Sequence, residues 1–355
     1  MSQFNHREIK LEEAIEAYLC SPEGGFIKGS DKNFDARLAL DTQTLLSFVK
    51  STQPKAWERY QVIYGSDCER RFIKRFCEEV EADGLIQVLR HGIKDRGVNF
   101  MVAYFAPETS INPDLAVRYK INILHCVRQF HYSPNDTQNT IDIVLLLNGI
   151  PIAALELKDE FSGQNVDDAI FQYKKDRDPR DPIFAFNQRL LVYFALDLAQ
   201  VFMATQLAGA ATYFLPFNQG SNGAGEVGGK GNPPNPDNFM TAYLWENVLR
   251  KDRLMEILQK YIHLDIKKDG RKSIIFPRYH QLDVVTKLLA DVKANGTGKN
   301  YLIQHSAGSG KSNSIAWLAP LGASRRKRQK NIQLCNCRHG PQGIGFAVAG
   351  YCLSV

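Results

Sequence analysis

The most informative pattern of apolar and polar positions lies in residues 141–158, IDIVLLLNGIPIAALELK. Two almost wholly apolar runs meet at Asn148-Gly149, and ionisable side chains stand only near their outer ends: Asp142, Glu156 and Lys158. Strands that are apolar on both faces are typical of the interior of a layered α/β domain. Because a buried carboxylate loses its hydration, it needs a cation or hydrogen-bond donors in place of water. The pattern therefore predicts a β-hairpin that gathers two carboxylates and an ammonium around a metal ion.

The turn between the two runs decides whether Asp142 shares a face with the other two charged side chains. A two-residue loop would set Asp142 opposite Leu155, on the wrong face of the sheet. A three-residue loop at 147–149, with Gly149 in the left-handed conformation, pairs Asp142 with Ala154 and restores the shared face. We predict the three-residue loop.

In that register the three side chains have distinct chemical roles. Asp142 and Glu156 are predicted to bind one Mg²⁺ through oxygen, and both are candidate catalytic residues. Lys158, two residues after Glu156 and so on the same face of the strand, is predicted to orient a water or to stabilise charge developing on a phosphate. The alternative is a β-hairpin with solvated polar ends, because Glu-x-Lys is common by chance.

Apolar periodicity predicts the neighbouring elements. Helical spacing of apolar residues predicts helices at 5–19, 42–60 (broken at Pro54), 68–90, 166–176 and from Trp245 to about residue 263. Apolar runs predict strands at 97–105, 120–132, 190–195, 200–206 and 211–215. Residues 217–239 are rich in Gly, Asn and Pro and are predicted to form an exposed loop.

The sequences of several segments resemble one known family. Asp, a strand and then Glu-x-Lys resemble the core of PD-(D/E)xK nucleases. The phrases NGIPIAALELK, STQPKAW, FLPFNQG, GNPPNPD and TAYLWENVL closely resemble the N-terminal region of the restriction (R) subunit of type I restriction-modification enzymes. The resemblance implies an α/β, PD-(D/E)xK-type nuclease domain with a mixed central sheet flanked by helices. It also implies Mg²⁺-dependent cutting of double-stranded DNA, within an ATP-driven complex with methyltransferase (M) and specificity (S) subunits.

Two further site candidates come from the same resemblance. Type I nucleases carry a Gln-x-x-x-Tyr element on the helix after the catalytic strand; here Gln172 and Tyr173 are adjacent, so only Gln172 is retained, as a catalytic-site or DNA-contacting candidate, with a surface glutamine as the alternative. A helix acid near the N-terminus sometimes assists the metal in this nuclease family. Glu12 or Glu16 could do so here, although a solvated helix face is the favoured interpretation.

A second motif lies near the C-terminus. FPRYHQLDVVTKLL, with Gln281, resembles the adenine-recognising element of superfamily 2 helicases, and the predicted strand 301–304 leads into HSAGSGKS. Small residues allow the main-chain N–H groups of such a loop to surround phosphates at the start of a helix. The predicted ATP-binding residues are Gly308, Ser309, Gly310, Lys311, Ser312 and Gln281, with Ser312 as a ligand of the nucleotide's Mg²⁺. His305 stands where the strict pattern has glycine, and a flexible GSGKS linker is the alternative.

Composition changes this picture little. The 355 residues are 44% hydrophobic and 23% charged, with a net charge of +6 that suits a polyanionic partner. Seven scattered cysteines and no leading apolar segment favour a reducing cytoplasm. A basic cluster could neutralise DNA phosphates, although nearby aspartates make a solvated, self-paired segment at least as good an interpretation: Lys174, Lys175, Arg177, Arg180 and Arg189.

The domain organisation follows from these motifs. We predict an endonuclease domain at 1–265 and the beginning of a RecA-like P-loop motor at 266–320. Residues 321–355 have no helix or strand periodicity and resemble out-of-frame translation, so we expect a truncated R subunit without translocation. Two other functions stay open: an inactive product that only binds DNA, nucleotide or partner subunits, and a nucleotide binder in which the hairpin is merely structural.

Overall fold

The computed structural model describes residues 8–107, 113–158, 163–296, 299–305, 309–324, 336–340, 343–348 and 351–354. The chain divides into two compact units: Met1–Asn218 with Gly231–Phe276, and Gln219–Lys230 with Pro277–Val355. The predicted domain boundaries, after residues 265 and 320, stay predictions. Among the described residues, no helix combines the length and apolar character needed to cross a membrane.

Eight α-helices are described in the first unit: α1 Glu8–Leu19, α2 Thr42–Thr52, α3 Pro54–Tyr64, α4 Cys68–Asp83, α5 Leu85–His91, α6 Pro113–Lys120, α7 Val166–Lys175 and α8 Lys251–Glu256. Local chemistry explains their ends. Asp41 accepts a hydrogen bond from the main chain of Thr44 and caps α2, and Pro54 occupies the first turn of α3. The predicted continuous helix at 68–90 is wrong, because Gly84 adopts φ +86 and separates α4 from α5.

The strands described in this unit are β1 Ile27–Lys28, β2 Phe34–Asp35, β3 Leu40–Asp41, β4 Ile93–Asp95, β5 Val98–Phe100, β6 Leu124–His131, β7 Thr140–Leu147, β8 Ile150–Leu157, β9 Val192–Leu196, β10 Val201–Ala204, β11 Leu215–Pro216, β12 His263–Ile266 and β13 Lys272–Ile275. Seven of them form a mixed sheet in the order β1-β6-β7-β8-β9-β10-β11. The pairs β1/β6 and β8/β9 are parallel, and the other neighbours are antiparallel. The expected mixed central sheet with flanking helices is therefore confirmed at the level of a mixed α/β fold.

The crossover from β8 to β9 positions the functional region. Helix α7 begins with a reciprocal cap, in which Asn165 accepts from Asp167 and the Asp168 carboxylate accepts from the main chain of Asn165. Its apolar face, including Ala169 and Tyr173, packs in the same buried cluster as residues of β6, β7, β8 and β9. The segment after α7 consequently returns across the sheet close to the end of β8.

The hairpin turn differs from the prediction. Leu147 pairs with Ile150 across a two-residue turn, in which Asn148 has φ +51 and Gly149 has φ +84. The predicted three-residue loop and the pairing of Asp142 with Ala154 are therefore wrong. Asn148 tolerates the left-handed conformation because its buried side chain accepts from Ile123 N at 2.7 Å and donates to Val102 O at 2.8 Å.

A bulge supplies the register correction that the predicted loop was meant to provide. Leu146 pairs with Pro151, but Leu145 pairs with Ala153, so β8 contains one extra residue. Pro151 has no N–H to donate, which favours an irregularity at this point of a central strand. The following pair, Ile143 with Leu155, places Asp142 across from Glu156 when the register is extended by one residue.

In the second unit, α9 (Tyr279–Asn295) contacts α10 (Lys311–Ser324). The predicted strand at 301–304 is reduced to a single bridge residue, Leu302. In the tail, α10 continues to Ser324 and three antiparallel strands are described: β14 Asn336–Gly340, β15 Gly343–Val348 and β16 Tyr351–Ser354. The interpretation of residues 321–355 as out-of-frame translation stays a prediction.

Two turn glycines allow the packing of the β7/β8 turn to be measured. A Cβ on Gly149 would meet Asp41 O at 2.3 Å, whereas a Cβ on Gly97, in the β4/β5 turn with φ +80, would meet nothing within 4 Å. Gly97→Ala should cost only the left-handed strain, about 1–2 kcal/mol. Gly149→Ala should cost clearly more, because main chain must also move. Urea unfolding of both variants measures the difference, and equal losses would contradict the described packing of the turn.

Candidate functional site

Glu156 is the most deeply buried acid of the region, with 0% of its surface exposed. It lies in β8, whose residues are all buried. Its Oε1 accepts hydrogen bonds from Arg177 Nε at 2.8 Å and Arg177 Nη2 at 2.6 Å. Its Oε2 is buried and has no hydrogen-bond partner among the described residues. One carboxylate oxygen is thus saturated by a cation, while the other is left for a ligand.

Asp142 lies beside the main chain that joins Glu156 to Lys158. Its Oδ2 accepts from Leu157 N at 2.7 Å, and its Oδ1 accepts from Gln129 Nε2 at 3.3 Å. Lys158 is buried directly after β8, and its main-chain N–H donates to Leu196 O of β9 at 3.0 Å. The described contacts bring Asp142, Glu156 and Lys158 into one region, and their assignment as site residues stays a prediction.

The electrostatics of Glu156 follow from burial. Desolvation, followed by the nearby charge of Asp142, raises the pKa of Glu156 well above its ordinary value, although Arg177 and Lys158 oppose this shift. Burial lowers the pKa of Arg177, but the carboxylate of Glu156 more than compensates, so the net shift is upward. Arg177 therefore stays charged, and Glu156 readily takes up a proton or a cation.

Arg177 is the residue whose role the sequence pattern missed. The sequence places Arg177 in a basic cluster that predicts a phosphate-binding patch or a self-paired surface. Neither describes it, because it is 4% exposed and bound to Glu156. Its Nη1 also donates to Tyr132 Oη at 3.4 Å, and the guanidinium lies 5.5 Å from the centre of that ring. Arg180 does follow the self-paired interpretation, with Asp178, whereas Arg189 is buried against the main-chain carbonyls of Leu38 and Ala39.

Helix α1 contributes a second buried acid. Glu12 is 3% exposed, which contradicts its interpretation as part of a solvated face. Arg128 Nε donates to its Oε2 at 2.9 Å and Gln129 Nε2 to its Oε1 at 2.5 Å. Burial raises the pKa of Glu12, and the charge of Asp142 adds to this shift. Glu16 is also mostly buried and forms ion pairs with Lys28 and Arg128.

On α7, the neighbour of the predicted Gln172, Tyr173, lies on the buried face of the helix. Tyr173 is fully buried, its hydroxyl donates to Phe194 O at 3.3 Å, and burial followed by the charge of Glu156 raises its pKa well above the ordinary value. Gln172, the predicted residue, is half-buried, and its main-chain carbonyl accepts from Asp176 at the helix end. Its role stays a prediction.

The acids are suited to a magnesium ion that takes few protein ligands. Among the described residues, no group of three or more His, Cys, Asp or Glu side chains has a metal-binding arrangement. Mg²⁺, however, commonly takes one or two carboxylates and keeps waters or substrate phosphate oxygens as its other ligands. The unpartnered Oε2 of Glu156 and the neighbouring Asp142 carboxylate fit that requirement.

In the second unit, Gln281 is buried beside the predicted phosphate loop. Its Nε2 donates to Ser309 O at 3.1 Å and Gly310 O at 2.8 Å, and its Oε1 accepts from Arg278 N. Gly310 has φ +78, and α10 begins at Lys311, with Ser312 exposed in its first turn. Gly308 lies outside the described residues. The assignment of these residues to ATP stays a prediction.

Breaking the buried ion pair should reveal the raised pKa of Glu156. Arg177→Met should lower the free energy of unfolding by about 3–5 kcal/mol at pH 8, because Glu156 would then be buried without its cation. Because the pKa of Glu156 is raised in the folded protein, the loss of stability should increase as the pH rises above the unfolded pKa of about 4.3. It should decrease on acidification, since a protonated Glu156 needs no cation. Urea unfolding at pH 5 and pH 8 measures both effects.

Arg180→Met is the matched control for that experiment, because the Arg180–Asp178 pair is on the same segment but exposed. It should leave stability unchanged at both pH values. An Arg177→Met variant as stable as this control would show that the buried pair does not form.

Comparison with known proteins supports the family suggested by the sequence phrases. Residues 52–217 match the family described as type I restriction enzyme R protein N terminus. Over 226 residues the chain is 27% identical to a candidate type I restriction enzyme MjaVIIIP endonuclease subunit of Methanocaldococcus jannaschii. That alignment covers 59% of this chain and 19% of the relative, so the chain spans only a small part of the relative's length. The resemblance to the R subunit of type I restriction enzymes is confirmed, and the part of this chain that matches the family is residues 52–217.

Proposed function

We propose that this chain is the endonuclease part of a type I restriction enzyme and hydrolyses phosphodiester bonds of double-stranded DNA. The proposed site residues are Asp142, Glu156 and Lys158, with Gln172 contacting DNA or supporting the site. The finding that supports this most is the fully buried Glu156, whose Oε2 has no hydrogen-bond partner among the described residues. A buried acceptor without a partner is unfavourable by about 1–3 kcal/mol, more when charged, and a bound cation would remove that cost.

The proposed ligands for Mg²⁺ are Asp142 and Glu156. When bound, Mg²⁺ would supply Lewis-acid chemistry, lowering the pKa of a water and stabilising charge on the phosphate. Arg177 holds Glu156 through Oε1 and so directs Oε2 away from the arginine. Lys158 lies two residues after Glu156, directly after β8. It is proposed to orient the attacking water or to donate to a phosphate oxygen.

The partners of the whole enzyme are also proposals. The relative is described as an endonuclease subunit, and the family as the N terminus of an R protein. On that basis we propose double-stranded DNA and the M and S subunits of a type I complex as partners. The competing proposal is a chain that binds DNA, nucleotide or partner subunits without cutting.

The second unit supports a second candidate function, ATP binding by residues 305–312 with Mg²⁺ at Ser312. The supporting observation is that Gln281 fixes the main chain just before Lys311 by two hydrogen bonds. Two polar atoms in this segment, His305 Nδ1 and Ser309 Oγ, are buried and have no partner among the described residues. A phosphate at the start of α10 would meet main-chain N–H groups and the Lys311 ammonium there.

The nuclease proposal predicts metal-dependent nicking that depends on the acids. Purified chain with Mg²⁺ should nick supercoiled plasmid, and Asp142→Asn and Lys158→Ala should each reduce the rate by at least about a hundredfold. Gel separation of supercoiled, nicked and linear forms over time gives the rates. Asp178→Asn is the control, because the Asp178 side chain is largely exposed and forms its ion pair with Arg180. Nicking that continues equally in all four proteins would identify a contaminant and remove Asp142 and Lys158 from the mechanism.

The ATP proposal predicts a stabilising effect of nucleotide on the second unit. MgATP at a hundred times its dissociation constant should stabilise the folded form by about 2.7 kcal/mol, and Lys311→Ala should abolish most of the thermal shift. Lys293→Ala, an exposed lysine of α9, should retain the shift. Equal shifts in the wild type and Lys311→Ala would exclude a working phosphate loop.

A further inference from the structure

Gln129 has an unusual backbone in the middle of a strand. Its φ is +47, a left-handed value that non-glycine residues rarely adopt, although it lies inside β6. The pairs on either side are Arg128 with Ile143 and Phe130 with Ile141, so Asp142 lies across from Gln129 on the neighbouring strand. The strained residue therefore faces one of the proposed metal ligands.

The strained conformation changes which way the side chains point. In a regular strand, neighbouring side chains lie on opposite faces. Here Arg128 and Gln129 are neighbours, yet both donate to Glu12, at 2.9 and 2.5 Å. Val127 and Phe130, three residues apart, lie in the same apolar cluster. The left-handed residue thus brings an extra polar side chain to α1 without removing an apolar one from the core.

The Gln129 amide joins the two acids. Its Nε2 donates to Glu12 Oε1 at 2.5 Å and to Asp142 Oδ1 at 3.3 Å, while its Oε1 accepts from Thr140 Oγ1 at 3.1 Å. Ionised carboxylates only accept hydrogen bonds, so the two acids fix the nitrogen end of the amide towards themselves, and the Thr140 hydroxyl donates to the oxygen end. Both Glu12 oxygens already accept hydrogen bonds, one from Gln129 and one from Arg128. Glu12 therefore anchors the amide.

We propose that Gln129 is a positioning residue for Asp142, and that Glu12 acts on the site through Gln129. In this role, the strained backbone at residue 129 directs the amide between the two acids. The inference rests on the proposed function, since it gives Asp142 a metal to bind. It also extends the site to α1 (Glu8–Leu19), which lies outside the family match at residues 52–217.

The test uses Mn²⁺ as the probe and two readouts other than cleavage. Electron paramagnetic resonance of free Mn²⁺, without nucleotide, gives the dissociation constant, and the urea midpoint gives stability. Gln129→Gly relieves the strain and removes the amide, so its midpoint should exceed that of Gln129→Ala while the dissociation constant increases about tenfold or more. Gln129→Ala keeps the strain, so its midpoint should fall while Mn²⁺ binding weakens by a similar factor.

Two further variants separate the possible outcomes. Arg96→Gly relieves a residue with the same φ of +47 in the exposed β4/β5 turn and should leave Mn²⁺ binding unchanged. Asp142→Asn should abolish binding at this site. If the wild type binds Mn²⁺ and Gln129→Gly binds it equally well, the positioning role is overturned and the metal site is not. Equal or absent binding in the wild type and Asp142→Asn overturns the metal site itself, and the positioning role falls with it.

Discussion

The buried ion pair between Glu156 and Arg177 is the interaction on which the candidate site depends. A carboxylate with no exposed surface could not stay ionised beside Asp142 without a cation, because burial and the neighbouring negative charge both raise its pKa. Arg177 supplies that cation and occupies only one of the two oxygens. Arg177 therefore allows a charged acid inside the sheet and leaves one oxygen of that acid available to a ligand.

The topology of the sheet explains why this arginine is available. Strands β8 and β9 are parallel neighbours, so the chain must cross over between them, and α7 makes that crossing. Arg177 lies just after α7 ends at Lys175, on the return towards β9. The same connection contains Tyr173, whose pKa is raised by burial and then by the charge of Glu156. The parallel crossover thus brings the Arg177 guanidinium to the end of the strand that carries the acid.

The sequence predicted the hairpin and its charged side chains but not the cation that stabilises them. The apolar runs at 141–158 predict buried strands, because apolar character and its spacing are read from neighbouring residues. Arg177 could not be distinguished from Arg180, since both belong to one basic, aspartate-rich segment, and only the crossover buries the first and exposes the second. Glu12 was assigned to a solvated face for a similar reason: helical spacing shows that a face is polar, but not that an arginine and a glutamine cover it. Gln129 did leave a local signal, since two polar residues between Val127 and Phe130 interrupt the alternation of β6.

The β7/β8 hairpin departs from its predicted turn, yet its register still sets Asp142 across from Glu156. A shared face for Asp142 and Glu156 is predicted from a three-residue loop, yet the loop is the short one that Asn148-Gly149 favours, and the extra residue enters beside Pro151. Turn chemistry and register are thus set by different residues in this hairpin. A second irregularity, at Gln129, lies directly across from Asp142. Both departures from regular strand geometry affect the placement of one carboxylate, whereas the rest of β6 pairs with β7 in unbroken register. A left-handed residue directly across from Asp142 and a bulge in the partner strand together set which side chains this acid meets, and strained backbone at such a position motivates the hypothesis that Asp142 is held for function.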